Sequence, residues 1–332
     1  MSDHLVLAAD IGGTKSNIGL YTGSPMVPIP VIESTYQNRN FASLTDAIRQ
    51  FHRETGRLPS QACLAVAGAI VNGESTLPNL GWHITETVLR EELGFASVRL
   101  INDLEATAHG LPILTKEQII RINDGELEAE GNRALIAAGT GLGMAIMLPD
   151  KEGWRVVSSE GGHVDFAPRT EREEALRRFL AKRFDHVSVE RVVSGQGIVN
   201  IYDFLKQSGF DEPEWLSSRH ATASDIAASI AQAGMSKEAD ICVETLELFL
   251  SAYGAVTGNL ALTILATGGV YVGGGIAPKL IEAFPYSGFM ATFRDKGRFA
   301  RLLGKIPVSI IMEPRCALYG AAVCALRNDA KT

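Results

Sequence analysis

Short apolar runs alternating with helical patterns predict an α/β fold for this chain. Three observations carry that expectation. Apolar runs of strand length, broken only by Arg99, recur at residues 5–9, 62–67, 98–101 and 134–138. Glycine-rich turns follow the first and last of them directly. Segments with apolar residues at helical spacing fill much of what lies between, as at Phe41, Leu44, Ile48 and Phe51. At roughly 150 residues per domain, a length of 332 residues points to two domains.

In order along the chain, residues 5–9 read as a buried strand, 10–16 as a turn and 17–21 as the returning strand. Residues 41–53 read as a helix, 62–67 as a strand, and 82–93 as a helix whose start is open between Trp82 and Thr85. The strand 98–101 leads into a helix over 104–109. A second hairpin follows: strand 134–138, turn 139–143, return 144–148. LVLAADIGGTKSNIGLY and ALIAAGTGLGMAIML share one plan of apolar strand, glycine turn and apolar strand. This weak internal similarity fits two equivalent strand pairs, one per domain, and equally fits two unrelated hairpins. Beyond about residue 150 the pattern is more helical, at 172–184, 224–233, 237–253 and 319–326. Residues 251–278 carry no charge, which raises a membrane span, but seven glycines interrupt them. A buried helix over 252–266 followed by a buried strand at 270–272 is the better reading.

Composition excludes several classes. A balance of 46% hydrophobic and 21% charged residues is globular, and the chain is long enough to bury a large core. Cys63, Cys242, Cys316 and Cys324 stand singly with no CxxC pair. Neither a disulfide framework nor a zinc site is indicated, and a cytoplasmic location is expected. A net charge of −7 with no basic run argues against nucleic acid. The start MSDHLVLAAD lacks the basic, long-apolar pattern of a signal peptide, and no membrane partner is expected.

Five motifs are chemically suggestive. Asp10-Ile11-Gly12-Gly13-Thr14 directly follows a strand. Its glycines let backbone N–H groups approach phosphate oxygens, and Asp10 fits beside phosphate only with Mg²⁺ or its water shell between. An ordinary Asp/Gly turn is the plain alternative. No GxxxxGK[ST] occurs, so this is not a P-loop. Gly139-Thr140-Gly141-Leu142-Gly143 offers the same donors. Gly273-Gly274-Gly275 leaves room for a flat purine and ribose, or makes a tight strand-to-helix connection. Asn102-Asp103 ends a strand, where a carboxylate either accepts a proton from a sugar hydroxyl or caps the next helix. Glu160-Gly161-Gly162-His163, with Glu190 later, offers carboxylates that accept from adjacent sugar hydroxyls, while a metal reading fails on ligand count.

Taken together and in order, these stretches resemble the bacterial glucokinases of the hexokinase-type group, in the sugar kinase, heat-shock protein and actin superfamily. The matching segments include LAADIGGTKSNIGLY, INDLEATAHG, AAGTGLGMA, SEGGHVDFAP, HVSVERVVSGQGIVNIYDFL, VYVGGGIAPK and SGFMATFRDKGRFARLL, nearly the whole chain. The pair SEGGHVDFAP and HVSVERVVSG is the specific signal; the glycine loops are shared by many kinases. The resemblance implies two actin-like ATPase (ribonuclease H-like) α/β domains with a cleft between them. The small domain would be residues 1–110 plus about 316–332, and the large one 111–315.

The same resemblance implies ATP-dependent phosphorylation of glucose at the 6-hydroxyl, with Mg²⁺, by a homodimer. Asn102, Asp103, Glu160, His163 and Glu190 fall at the sugar, with Asp103 as general base. Ala9, Asp10, Ile11, Gly12, Gly13, Thr14, Thr140 and Gly141 fall at the phosphates, with Asp10 toward Mg²⁺ through water. Gly273 and Gly274 fall at the adenosine. Two departures stand out. Lys15 takes a position where relatives often have asparagine, and is expected to face solvent. LPNLGW is closer to the related repressor–kinase family, which makes Asn79 a sugar candidate, yet that family's cysteine-rich zinc motif is missing. Kinases for mannose, fructose or an N-acetylhexosamine, and a non-catalytic sugar sensor, stay open as alternatives.

Overall fold

Each of the two glycine turns joins a pair of antiparallel strands, and a mixed sheet is built around each pair. The computed structural model describes residues 4–151 and 153–327. It divides the chain into two compact units. Unit 1 comprises the described residues up to Thr115 and those from Glu313 onward, and unit 2 is Lys116–Met312.

Unit 1 runs β1 (Val6–Ile11), β2 (Lys15–Ser24), β3 (Val27–Gln37), α1 (Leu44–Thr55), β4 (Gln61–Val66), β5 (Glu74–Leu77), β6 (Trp82–Thr85), α2 (Glu86–Leu93), β7 (Ser97–Asn102) and α3 (Asp103–Gly110). Its five-stranded sheet has the order β3-β2-β1-β4-β7. The first three strands are antiparallel neighbours, while β1, β4 and β7 run parallel. Strand β1 sits between two neighbours with both faces covered, which is why it reads as an unbroken apolar run. Leu7, Ala9 and Ile11 join the core shared with α1, whereas Val6 and Ala8 face the core completed by α11 (Cys316–Arg327). Ser43 caps α1 by accepting from the Asp46 N–H at 3.1 Å, and Gly56 ends it at φ +67°.

Of the two starts left open for the helix after Trp82, the one at Thr85 holds. Residues 82–85 form β6, paired with β5, and Thr85 then caps α2. Trp82 and Ile84 are buried and His83 is exposed, a strand alternation too short to stand out beside a helix.

Unit 2 runs β8 (Ile119–Asn123), β9 (Arg133–Ala138), β10 (Leu142–Asp150), β11 (Gly153–Ser159), α4 (Glu171–Leu180), α5 (Gly195–Gln207), α6 (Glu214–Thr222), α7 (Ile226–Met235), α8 (Asp240–Ile264), β12 (Val270–Gly273), α9 (Phe289–Arg294), α10 (Ala300–Lys305) and β13 (Val308–Ile311). Its sheet order is β11-β10-β9-β12-β13-β8. Strands β11, β10 and β9 are antiparallel neighbours, and β9, β12 and β13 run parallel. Apart from the added β8, this is the plan of unit 1. The two similar hairpins therefore hold equivalent places in two like sheets.

The uncharged stretch resolves into the second half of α8, a turn and β12. Helix α8 is one continuous 25-residue element, not the two helices expected at 237–253 and 252–266. It is long and apolar enough to cross a membrane, but 16 of its residues are buried within unit 2. Gly254 and Gly258 are glycines for a reason inside the fold. A Cβ on either would overlap the carbonyl of Phe289 or Phe293, where α9 runs close.

An equally close crossing holds α3 against α11. A Cβ on Gly320 would overlap the Ala106 carbonyl, and one on Gly110 would overlap the Cys316 carbonyl. Gly320→Ala is expected to cost about 1–3 kcal/mol or more, the scale of overpacking a tight interface. A lowered denaturation midpoint checks this; an unchanged midpoint would show that the helices part without strain.

Candidate active site

In unit 1, Ile11, Val66 and Asn102 stand side by side across β1, β4 and β7. The Gly12–Thr14 loop and Asp103 therefore leave the same sheet edge, at the carboxyl ends of the parallel strands, where ligands of α/β proteins bind. Asp10 pairs with Asn17 across the hairpin, and the Asn17 amide donates to its Oδ2 at 3.4 Å. Burial pushes the Asp10 carboxyl above the usual carboxylate range, while the Asn17 amide and the Lys15 charge pull the other way. A carboxylate short of solvation is suited to a cation that arrives with its own water.

The side chains of Ala9 and Ile11 lie in the core, so only their backbone is available to a ligand. Gly13, Thr14 and Lys15 are exposed. A Cβ on Gly13 would meet nothing, and its φ is not in the left-handed region, so the fold itself does not demand glycine there. Asn38, which no sequence pattern marked, laces the loop. Its amide donates to the Gly12 carbonyl at 2.8 Å, and it accepts from the buried Ser16 hydroxyl at 2.7 Å.

Both readings of Asn102-Asp103 meet in the structure. Asn102 is the cap of α3: its amide oxygen accepts from the Leu104 N–H at 2.9 Å, and its NH₂ donates to the Gly68 carbonyl at 3.1 Å. Asp103 is the first helical residue, with Oδ1 accepting from the Leu104 N–H at 2.9 Å. Asn79 is exposed in the turn of the β5–β6 hairpin. That hairpin lies against Gly68, whose Cβ position is 3.0 Å from the Ser75 hydroxyl.

In unit 2 the acidic candidates converge on Leu142. Glu190 Oε2 accepts from the Leu142 N–H at 2.8 Å, and a Cβ on Gly141 would overlap that same oxygen. The short turn 161–163 presses so closely that a Cβ on Gly162 would overlap the Leu142 carbonyl. Backbone bonds from Phe166 to Val187 (3.0 Å) and from Val189 to Val164 (2.9 Å) tie the segment after His163 to the segment before Glu190. Glu160, His163 and Glu190 are thus gathered at the start of β10. The loop 139–141 is closed by the Gly139 N–H donating to the Gly141 carbonyl at 2.8 Å, and Tyr253 from α8 reaches the Ala138 N–H at 3.3 Å.

At the end of β12, Gly274 has its own structural reason: φ is +83°, and a Cβ would overlap the Ala138 carbonyl. Gly275 has open space around it. Among the described residues no cluster of three or more His, Cys, Asp or Glu could hold a metal ion. The donor set around Asp10, one carboxylate and a neighbouring hydroxyl, fits Mg²⁺, which keeps several waters and shares its coordination with substrate phosphates.

Two like sheets, each presenting a glycine loop at its carboxyl edge, define a phosphotransferase of the actin-like ATPase fold. A glucokinase family profile matches residues 7–328. A glucokinase of Nostoc punctiforme is 40% identical, covering 97% of this chain and 99% of its own length. One from Synechocystis is 38% identical over 97% and 98%. The crystal structure of a glucokinase from an Antarctic psychrotroph superposes with a TM-score of 0.83 at 32% identity, covering 98% of this chain and 99% of that one. The chain belongs to the glucokinase family.

Removing the Asn38 side chain would leave the Ser16 hydroxyl and the Gly12 carbonyl without their partner. Asn38→Ala is expected to cost about 1–3 kcal/mol, the penalty for a buried polar group left unpaired. Urea denaturation monitored by circular dichroism checks it.

Proposed function

We propose that this chain transfers the terminal phosphoryl of ATP to the 6-hydroxyl of glucose. Asn79, Asn102, Asp103, Glu160, His163 and Glu190 hold the sugar. Backbone donors of Gly12, Gly13, Thr14, Thr140 and Gly141 hold the phosphates, and Gly273 and Gly274 lie along the adenosine. The observation that carries the reading is the gathering of Glu190 and the Glu160–His163 turn on one residue, Leu142. One Glu190 oxygen is taken by that backbone, which leaves the other to accept sugar hydroxyls.

Asp103 accepts the 6-hydroxyl proton as the oxygen–phosphorus bond forms. Its place in the first turn of α3, where unpaired N–H groups favour negative charge, suits a base that takes its proton late. Little covalent help is needed in such a transfer, so alignment and charge stabilisation do most of the work. Asp10, with Asn17 and Thr14 beside it, would hold Mg²⁺ through water, and the ion would supply charge neutralisation for the phosphates. Excluding water from the bound substrates protects ATP from hydrolysis. The four cysteines are free and buried, which fits a reducing cytoplasm. Assembly as a homodimer is part of the same reading.

A coupled assay of ADP release over glucose, mannose, fructose and N-acetylglucosamine, with ATP and MgCl₂, tests the substrate. Glucose is expected to give the highest kcat/KM, and a higher value for another hexose refutes it. Asp103→Asn is expected to bind glucose within a small factor of the parent while kcat falls by about 10²–10⁴, the scale of general-base loss. Stopped-flow turnover near the parent value removes Asp103 from that role.

A further inference from the structure

Beside the Glu160–His163 turn, unit 2 carries an open cavity of about 380 Å³. Arg183, Asp185, His186, Ser188 and Arg191 line it, and of the residues proposed to hold glucose it shares only His163. Its volume lies in the range of small-molecule clefts, about 300–1,000 Å³. The cavity wall carries cationic and hydroxyl donors. The Arg191 guanidinium stacks over the Phe184 ring at 4.2 Å, and among the described residues no carboxylate pairs with it. Ser188, a hydroxyl-bearing residue, is only 3% exposed and forms part of the cavity wall. Arg183 meets Asp203 at 3.0 Å, but both side chains are at least 40% exposed, and such pairs hold weakly.

Guanidinium groups and a hydroxyl are the donors that phosphate oxygens select. Asp185 works against a bare anion, because like charges repel, but it accepts hydrogen bonds from hydroxyls. The fit is to a molecule bearing both a phosphate and several hydroxyls. His186 links the cavity to the sugar-binding turn. Its Nε2 lies 2.9 Å from the His163 carbonyl, and since a carbonyl only accepts, Nε2 carries the proton. Its Nδ1 lies 3.5 Å from Asp165 Oδ1.

We infer that this cavity binds a sugar monophosphate, the product class of a hexose kinase, and that its occupancy reaches the sugar-binding turn through the bond from His186 to the His163 carbonyl. Only this coupling rests on the sugar-kinase reading; the binding does not. A phosphate drawn to Arg191 and Ser188 competes for His186 and loosens its hold on that carbonyl. The apparent KM for glucose then rises while the KM for ATP stays level.

The test is titration calorimetry of the full chain with glucose 6-phosphate, run at saturating glucose so that the catalytic sugar position is filled, and at ligand concentrations that allow for the equal weakening this coupling imposes on the cavity. One binding event is expected, weakened about tenfold or more by Arg191→Gln and less by Ser188→Ala, as loss of a charged and a neutral hydrogen bond requires. Thermal melting confirms that each variant folds, and either one alone suffices. Orthophosphate is expected to bind more weakly than the sugar phosphate. No binding by the parent chain, unchanged affinity in a folded variant, or equal affinity for orthophosphate overturns the inference. Glucose phosphorylation assayed on the same preparation separates the two readings. A chain that phosphorylates glucose but takes no second ligand refutes the cavity alone. A chain that binds glucose 6-phosphate but does not phosphorylate glucose refutes the kinase alone.

Discussion

Leu142 is held at both of its backbone polar groups, and the acidic half of the candidate site depends on that. Its N–H is taken by the Glu190 carboxylate, and its carbonyl is approached so closely by the 161–163 turn that only glycine fits at residue 162. A carboxylate bonded to a backbone N–H has a fixed direction, as a solvated one does not. The same bond makes Glu190 a brace for the glycine loop before β10. The residue that touches substrate in the proposed mechanism therefore also shapes the loop beside it, and its loss would disturb two functions together.

Unit 1 reaches a comparable end by other means. Its loop is fastened by a neutral side chain, Asn38, and its acid sits on a helix that starts at the sheet edge. Two sheets of one plan have thus been fitted with different fasteners. That difference matches the division of labour proposed for them: the base and two asparagines in unit 1, and the glutamates and histidine that take sugar hydroxyls in unit 2.

Much of this was legible in the sequence because buried parallel strands have a plain signature. Strands β1, β4, β9 and β12 lie inside their sheets, are mostly buried and read as apolar runs, and each ends at a polar or glycine-rich segment. Other elements were hidden for identifiable reasons. Strand β3 is an edge strand with Pro28 and Pro30, and most of its residues are exposed or half-buried, so it has no alternation to find. Helix α5 begins with Gly195 and Gly197, poor helix formers, although Ser194 supplies a readable cap. A Cβ on Gly197 would overlap the Val192 carbonyl, which explains a glycine that looks like a loop residue. The site residues that the motifs named lie at the sheet edges, whereas Asn38 escaped notice. It lies 26 residues from Gly12, and nothing in its surroundings announces the contact.

The α11 helix belongs to the core of the unit that contains the first strand. Leu318, Ala321, Ala322 and Ala325 fill space against Val6, Ala8 and Ala65. Unit 2, in contrast, is one uninterrupted stretch. During synthesis the inserted unit has all of its own residues before the surrounding one does. Unit 1 must wait, with one side of its sheet uncovered, until residues 316–327 have been made. That exposed apolar face is the stage at which a nascent chain of this design is most prone to aggregation.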